Sequence, residues 1–263
     1  MSKYIYTDKV SLALRGLFVK SGARSLVNKT LAMRYRQGIN VDVNGEEVKF
    51  GTPNFEEFMI IRGLKSDKDA LEEIIRELDE DEVFYDIGAN IGLYSCSIAR
   101  LSESEVYSFE PHPENSKTLM ENAEKNNLDL HLVKKAVSDK EGTEKINIEK
   151  NVSGEGQANL AESGEGEDIE SCRLDNIIGN ETPVPDRMKI DVEGAEIKVI
   201  RGMKELDQEE LPESIYIEMH PTVQRYGATI EGLEEEIREI GYSLETMERM
   251  PGRRKMVKAE LTE

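Results

Sequence analysis

The chain has 263 residues, 38% hydrophobic and 33% charged, which suits one large globular domain. Its net charge of −20 disfavours nucleic acid as a partner. Apolar runs of only a few residues give neither a membrane-spanning helix nor a secretory signal, so a cytoplasmic protein is expected.

Residues 1–36 hold eight Lys or Arg against one acid, a net of +7, which leaves −27 on the rest. Val10, Leu14, Leu17 and Phe18 share one helical face up to Gly22, and Leu26, Leu31 and Tyr35 suggest a second short helix. Val41 and Val43 alternate, Asn44-Gly45 signals a two-residue turn, and Val48 and Phe50 resume, so a β-hairpin is predicted. These pieces form an extension over 1–65, ahead of a main domain over 66–263. Leu71, Ile74, Ile75 and Leu78 stripe an amphipathic helix with Ser66 or Asp67 as its cap.

Strands and helices then alternate. Strands are predicted at 83–86, 106–109, 130–133, 187–191 and 214–219. Helices are predicted at 91–101, 113–126, 195–206 and 230–240. Gly241 stops the last helix, and 242–248 with 255–261 can close as a hairpin around Pro251-Gly252. Such alternation needs crossover connections. It predicts an α/β, Rossmann-like, mostly parallel sheet with helices on both faces. Residues 151–168, with four glycines, five acids and no Lys or Arg, read as a loop. It is either a plain surface loop or one at the mouth of the site. Cys96 and Cys172 lack metal or redox spacing and read as small core residues in a reducing compartment.

The stretch "FYDIGANIGLYS", 84–95, lies at the end of the first strand of this alternation, where open parallel sheets bind ligands. Gly88 and Gly92 let the backbone approach a ligand, and the helix that follows offers free N–H groups. A carboxylate at Asp86 is a poor neighbour for a pyrophosphate, and "DIGANIG" does not match G-x-G-x-x-G. Both points weigh against a nicotinamide-dependent oxidoreductase. Asp86 suits a ligand with an ammonium group; alternatively it caps a helix. Glu110 ends the next strand, where an acid can accept both ribose hydroxyls; alternatively it is an exposed strand end. Together they favour an adenosyl ligand with an amine and a sulfonium, S-adenosylmethionine.

"FYDIGANIGLYS", "SFEPHPEN", "KKAVSD", "RLDNII" and "KIDVEGAEIKVIRGM" occur in this order. Over roughly 41–219 the chain resembles the FkbM family of S-adenosylmethionine-dependent methyltransferases. The resemblance implies a seven-stranded methyltransferase sheet. It also implies methyl transfer, usually to oxygen, on a glycan, glycolipid or small metabolite. It implies that Asp86, Gly88, Asn90 and Gly92, with Ala89 between them, form the cofactor loop, and that Glu110 holds the ribose. Ala136 and Val137 would wall the adenine, and Asp191, Glu193 and Glu196 would form the acidic motif after the fourth strand.

Lys189, Asp191 and Glu193 alternate along an extended run, so they can share a face. "IYIEMHP" places Glu218 and His220 at the next strand end. Asp191, Glu193 and His220 are the expected catalytic set. His220 is the natural base by its ordinary pKa; alternatively it only bonds backbone. Asp191 is a base, an acid paired with Lys189, or a substrate anchor, the role favoured here. Glu196 also suits the first turn of a helix. Arg173 and Asp175 can pair, and His112 suits the helix entry beside Pro113. No metal constellation stands out. A binding module that keeps the fold without activity is the non-enzyme reading. Residues 1–36 either dock on the acidic body or contact anionic membrane at its periphery. Docking is favoured.

Overall fold

The computed structural model describes residues 38–51, 69–148, 158–160, 166–250, 252 and 254–262. The predicted helices within 1–36 and the cap at Ser66 or Asp67 lie outside these residues.

Strands β1 (Ile39–Val43) and β2 (Glu46–Phe50) form the expected antiparallel hairpin. Asn44 and Gly45 both take left-handed torsions (φ 53° and 86°), the turn that an Asn-Gly pair selects. Helix α1 (69–77) buries Leu71 and Ile74. Next come β3 (Val83–Ile87), α2 (Leu93–Leu101), β4 (Glu105–Phe109), α3 (Pro113–Lys125) and β5 (His131–Val133). α2 begins two residues later than predicted because Gly92 is left-handed (φ 86°). The chain then leaves the main sheet through β6 (Ala136–Val137), β7 (Gly142–Ile148), β8 (Ala158–Leu160) and β9 (Glu167–Cys172). It returns by the short α4 (Leu174–Ile177) to β10 (Arg187–Ile190), α5 (Glu196–Arg201) and β11 (Ser214–Met219). Helix α6 (Ile230–Glu239) and strands β12 (Tyr242–Arg249) and β13 (Lys255–Leu261) complete it.

The main sheet has seven strands in the order β12-β13-β11-β10-β3-β4-β5. β13 runs antiparallel to both of its neighbours, and the other pairs are parallel. From β3 the chain moves outward to β4 and β5, then crosses back to β10 and β11. The order therefore reverses between β3 and β10, the place where open parallel sheets bind ligands. Alternate side chains enter different cores. Phe84 and Tyr216 pack on one face with Leu71, Ile98 and Leu119. Tyr85, Ile87, Met188, Ile190 and Ile217 pack on the other with Leu174, Ile197 and Leu233.

The hairpin is tied to the main sheet's helices. Val43, Val48 and Phe50 join the first of these cores. Lys49 N–H donates to Asn126 Oδ1 (2.8 Å), and Gly51 N–H to Asn122 Oδ1 (2.7 Å).

Two expectations need correction. The segment 151–168 is not wholly a loop: β8 and the start of β9 fall within it, in a second sheet of order β6-β9-β7-β8. The helix predicted to run to 206 ends at Arg201. Gly202 lies so near the main chain that a Cβ there would sit 2.3 Å from the Ser138 carbonyl oxygen, and the chain turns away.

Candidate active site

The loop after β3 is shaped by close approaches. Gly88 (φ 82°), Asn90 (φ 52°) and Gly92 (φ 86°) are all left-handed. A Cβ on Gly88 would sit 2.0 Å from the Asp191 carbonyl oxygen, so only glycine lets this loop cross the end of β10. Gly88 and Ala89 donate their N–H groups to the Phe109 carbonyl, each at 3.0 Å. Asn90 Oδ1 is buried with no hydrogen-bonding partner.

Asp86 is fully buried. Its Oδ2 accepts from the Ser95 N–H (3.0 Å) and the Ser95 hydroxyl (2.6 Å), in the first turn of α2. The capping role left open in the sequence is thus filled. Its Oδ1 lies 3.5 Å from the Lys189 ammonium. Glu110 is buried rather than an exposed strand end. Its two oxygens accept from the N–H groups of Asn90 and His112, both at 2.8 Å. Burial nevertheless pushes its pKa up to about 7. Ala136 and Val137 are buried in β6, a few residues beyond Val133, whose carbonyl accepts the Glu110 N–H (3.1 Å).

Beside this loop, β10 and β11 end in a dense acidic centre. His220 is its hub and is 3% exposed. Nδ1 meets Glu196 Oε1 at 2.7 Å. Nε2 faces Glu218 Oε1 (3.2 Å), Glu193 Oε2 (3.4 Å) and Asp191 Oδ1 (3.9 Å). None of these three approaches is aligned as a hydrogen bond, and Nε2 and Asp191 Oδ1 are both buried without one. Asp191 Oδ2 pairs with Lys189 (3.5 Å), and Glu218 with Arg254 (2.5 Å). Glu193 is itself left-handed (φ 53°), a strained state for a residue with a Cβ. The Thr222 hydroxyl donates to its carbonyl oxygen (3.2 Å).

These contacts set the charges. Burial, then the nearby acids, raises the Asp191 pKa, although Lys189 opposes it. Burial and Asp191 push Glu193 up to about 7. Burial also raises Glu218, but His220 and Arg254 outweigh it and hold the carboxyl below its ordinary range. Burial alone would lower His220; Glu196, Glu218, Asp191 and Glu193 outweigh it and push the ring up to about 11. The ordinary pKa that singled out His220 as a base therefore does not apply here, because the surrounding acids favour the protonated ring.

The structure brings Asp191, Glu193 and His220 together, and Asp86 and Glu110 lie at the ends of adjoining strands. Sequence reasoning noticed Glu196 and Glu218 but not the hold of Glu196 on His220, which depends on how α5 sits against the turn after β11. Arg173 and Asp175 do pair, and His112 caps α3 through Nδ1, which accepts from the Asn115 N–H (3.3 Å).

A seven-stranded sheet with its last strand antiparallel, a glycine loop after its first strand and an acid ending its second is the frame of a methyltransferase. Residues 86–244 match the methyltransferase FkbM domain, and the chain belongs to that family. Among curated proteins it is similar to the hexuronic acid methyltransferase AglP of Haloferax volcanii. The two are 29% identical over 170 residues, 64% of this chain and 69% of the relative. Solved structures of similar trace include M. jannaschii TYW2 in complex with AdoMet (17% identity, 86% and 88% of the chains, TM-score 0.47). Another is the ribosomal protein L11 methylase of Lactobacillus delbrueckii subsp. bulgaricus (13% identity, 76% and 80%, TM-score 0.47). The strand order, not these likenesses, defines the fold.

Proposed function

We propose that this methyltransferase uses S-adenosylmethionine as donor and methylates an oxygen of an acidic sugar carried on a glycan, a glycolipid or a small metabolite. The observation that carries the reading is the placement of two sites on either side of the β3/β10 switch point, with Lys189 reaching both Asp86 and Asp191. When bound, S-adenosylmethionine supplies a methyl group on a sulfonium. The residues to hold it are Asp86, Gly88, Ala89, Asn90, Gly92, Glu110, Ala136 and Val137. The fit is supported by Glu110, a buried carboxylate at the strand end, and by Asn90 Oδ1, a buried acceptor still lacking a donor.

At the other site Asp191 and Glu193 expose about a quarter of their side chains, so they face the opening. They would orient an acceptor hydroxyl and take its proton, while His220 neutralises their charge. Holding acceptor and donor in line is worth up to about 7–11 kcal/mol in ideal intramolecular cases. A second reading follows from the surroundings of His220, whose Nδ1 is held by Glu196 at 2.7 Å while Nε2 faces three further acids, so the ring is engaged as their counter-charge. A sugar carboxylate needs no base to become an acceptor, and its product would be a methyl ester. The relative's action on a hexuronic acid is compatible with either oxygen.

One experiment tests both. Labelled donor is incubated with hexuronate-bearing glycans, and lipid and water-soluble products are counted separately. Mild alkali then removes an ester and spares an ether. Donor binding without transfer to any such acceptor would overturn the acceptor class.

Among the described residues no helix is long and apolar enough to cross a membrane. Residues 1–36, with their net +7, are the segment proposed to meet anionic lipid if the acceptor is lipid-linked, at about 1 kcal/mol per basic residue. Salt-sensitive sedimentation with anionic vesicles, lost when 1–36 are deleted, is the expected result for that role. Docking on the acidic body predicts instead a lower melting temperature and unchanged vesicle binding.

A further inference from the structure

We infer that Asp191, Glu193 and His220 form a binding site for one divalent transition-metal ion. The sequence placed these residues at adjacent strand ends but showed no metal-ligand spacing, because α5 and β11 separate the two acids from the histidine. Folding brings one donor atom from each within 4.8 Å of the others. The separations from His220 Nε2 to Glu193 (3.4 Å) and Asp191 (3.9 Å) are close to those around a shared ion. Donors about 2.0–2.2 Å from a metal lie roughly 3–3.5 Å apart.

Two further observations point to a ligand. Nε2 of His220 and Oδ1 of Asp191 are buried, face each other and lack hydrogen bonds, so a ligand between them would satisfy both. The opposite ring nitrogen is held by Glu196 at 2.7 Å, and Glu196 is itself fixed by the Gly194 N–H (2.9 Å). With Glu196 accepting from Nδ1–H, an ion that displaces the Nε2 proton meets a lone pair directed at the two acids. This carboxylate–histidine–metal arrangement is how proteins orient ligating imidazoles. Glu193 holds a left-handed backbone (φ 53°) where its carboxylate meets the ring at 3.4 Å, and strained torsions of this kind cluster at ligand sites.

The donor set selects the ion class. Two carboxylates with one imidazole suit Mn²⁺, Zn²⁺ or Co²⁺ better than Ca²⁺ or Mg²⁺, which take oxygen ligands. Three protein ligands leave coordination positions open. On the methyl-transfer reading, an acidic sugar would bind there, and the ion would relieve the repulsion it otherwise meets from Asp191, Glu193 and Glu218. That role rests on the reading above, whereas binding of the ion does not.

The test uses the full chain, stripped with a chelator and then titrated with Mn²⁺. Calorimetry and Mn²⁺ paramagnetic resonance are read with neither donor nor acceptor present. One ion per chain is expected. Asp191→Asn and His220→Ala should each weaken binding more than tenfold, and Glu196→Gln by about 10–100-fold. Circular dichroism and melting confirm that each variant is folded, and the near-isosteric Asp191→Asn guards against loss of the fold. Absence of saturable Mn²⁺ and Zn²⁺ binding overturns the site. So does binding that survives both Asp191→Asn and His220→Ala. Because no substrate is present, failure here leaves methyl transfer standing, and failure of methyl transfer with ion binding intact overturns only the enzymatic reading.

Discussion

Glu110 makes the sharpest residue-scale prediction. Burial raises its folded pKa from the ordinary 4.5 to about 7. Below pH 4.5 the group is protonated in both folded and unfolded chains. As pH rises from 4.5 to 7 the unfolded chain releases the proton while the folded chain still holds it, so stability falls. Above 7 the loss is complete, at about 3 kcal/mol. Urea unfolding of Glu110→Gln from pH 4.5 to 8 should show a shallower fall than the unsubstituted chain; equal slopes would mean that Glu110 does not set the pH dependence. Residue types alone placed Asp86, Glu110 and Asp191 at strand ends, and the pairings Lys189–Asp191 and Arg173–Asp175 were open to inspection. The proton on His220 was not legible. It depends on Glu196, whose contact with the ring rests on the packing of α5 against the turn Pro221–Tyr226 that follows β11.

At the scale of elements, Asn122 joins three of them. It sits in α3, fully buried, accepts from the Gly51 N–H just after β2 (2.7 Å), and donates to the Ile91 carbonyl in the loop after β3 (2.9 Å). Asn122→Ala would strand both backbone groups, at a loss of about 2–4 kcal/mol. Denaturation midpoints measure this, and a change below about 1 kcal/mol would show that water replaces the amide. The strands of the main sheet were readable because both faces are covered and their apolar runs are dense. The second sheet was missed for the opposite reason. In β7 and β9, "GTEKINI" and "EDIESC" carry a thin alternation among charged residues, and little apolar surface marks them as strands. Helix ends were displaced where a glycine, Gly92 or Gly202, is held by a close neighbour that the sequence does not reveal.

For the whole molecule the dominant quantity is the charge of −20. Like charges on one body repel, and salt screens them over about 10 Å at 0.1 M but about 3 Å at 1 M. The melting temperature is therefore expected to rise with sodium chloride, by about 2–4 °C for each kcal/mol of repulsion removed. Deleting 1–36 takes the charge to −27 and should steepen that rise. A melting temperature that falls with salt would show that the many surface ion pairs outweigh the repulsion.

Lys189 has a consequence for how the two sites communicate. Its buried ammonium stands 3.5 Å from Asp86 and 3.5 Å from Asp191, with the Tyr94 ring 4.5 Å away. A single positive charge is thus shared between the loop proposed to hold the donor and the centre proposed to hold the acceptor. Whatever draws it toward one carboxylate weakens its hold on the other, so occupancy at one end alters affinity at the other. Thermodynamic reciprocity makes the factor identical in both directions, and couplings of this kind run to about 1–3 kcal/mol. In Lys189→Met the affinity for donor, measured with and without acceptor, should become the same. The lysine would then act as the shared counterweight through which an occupied acceptor centre reports to the donor loop.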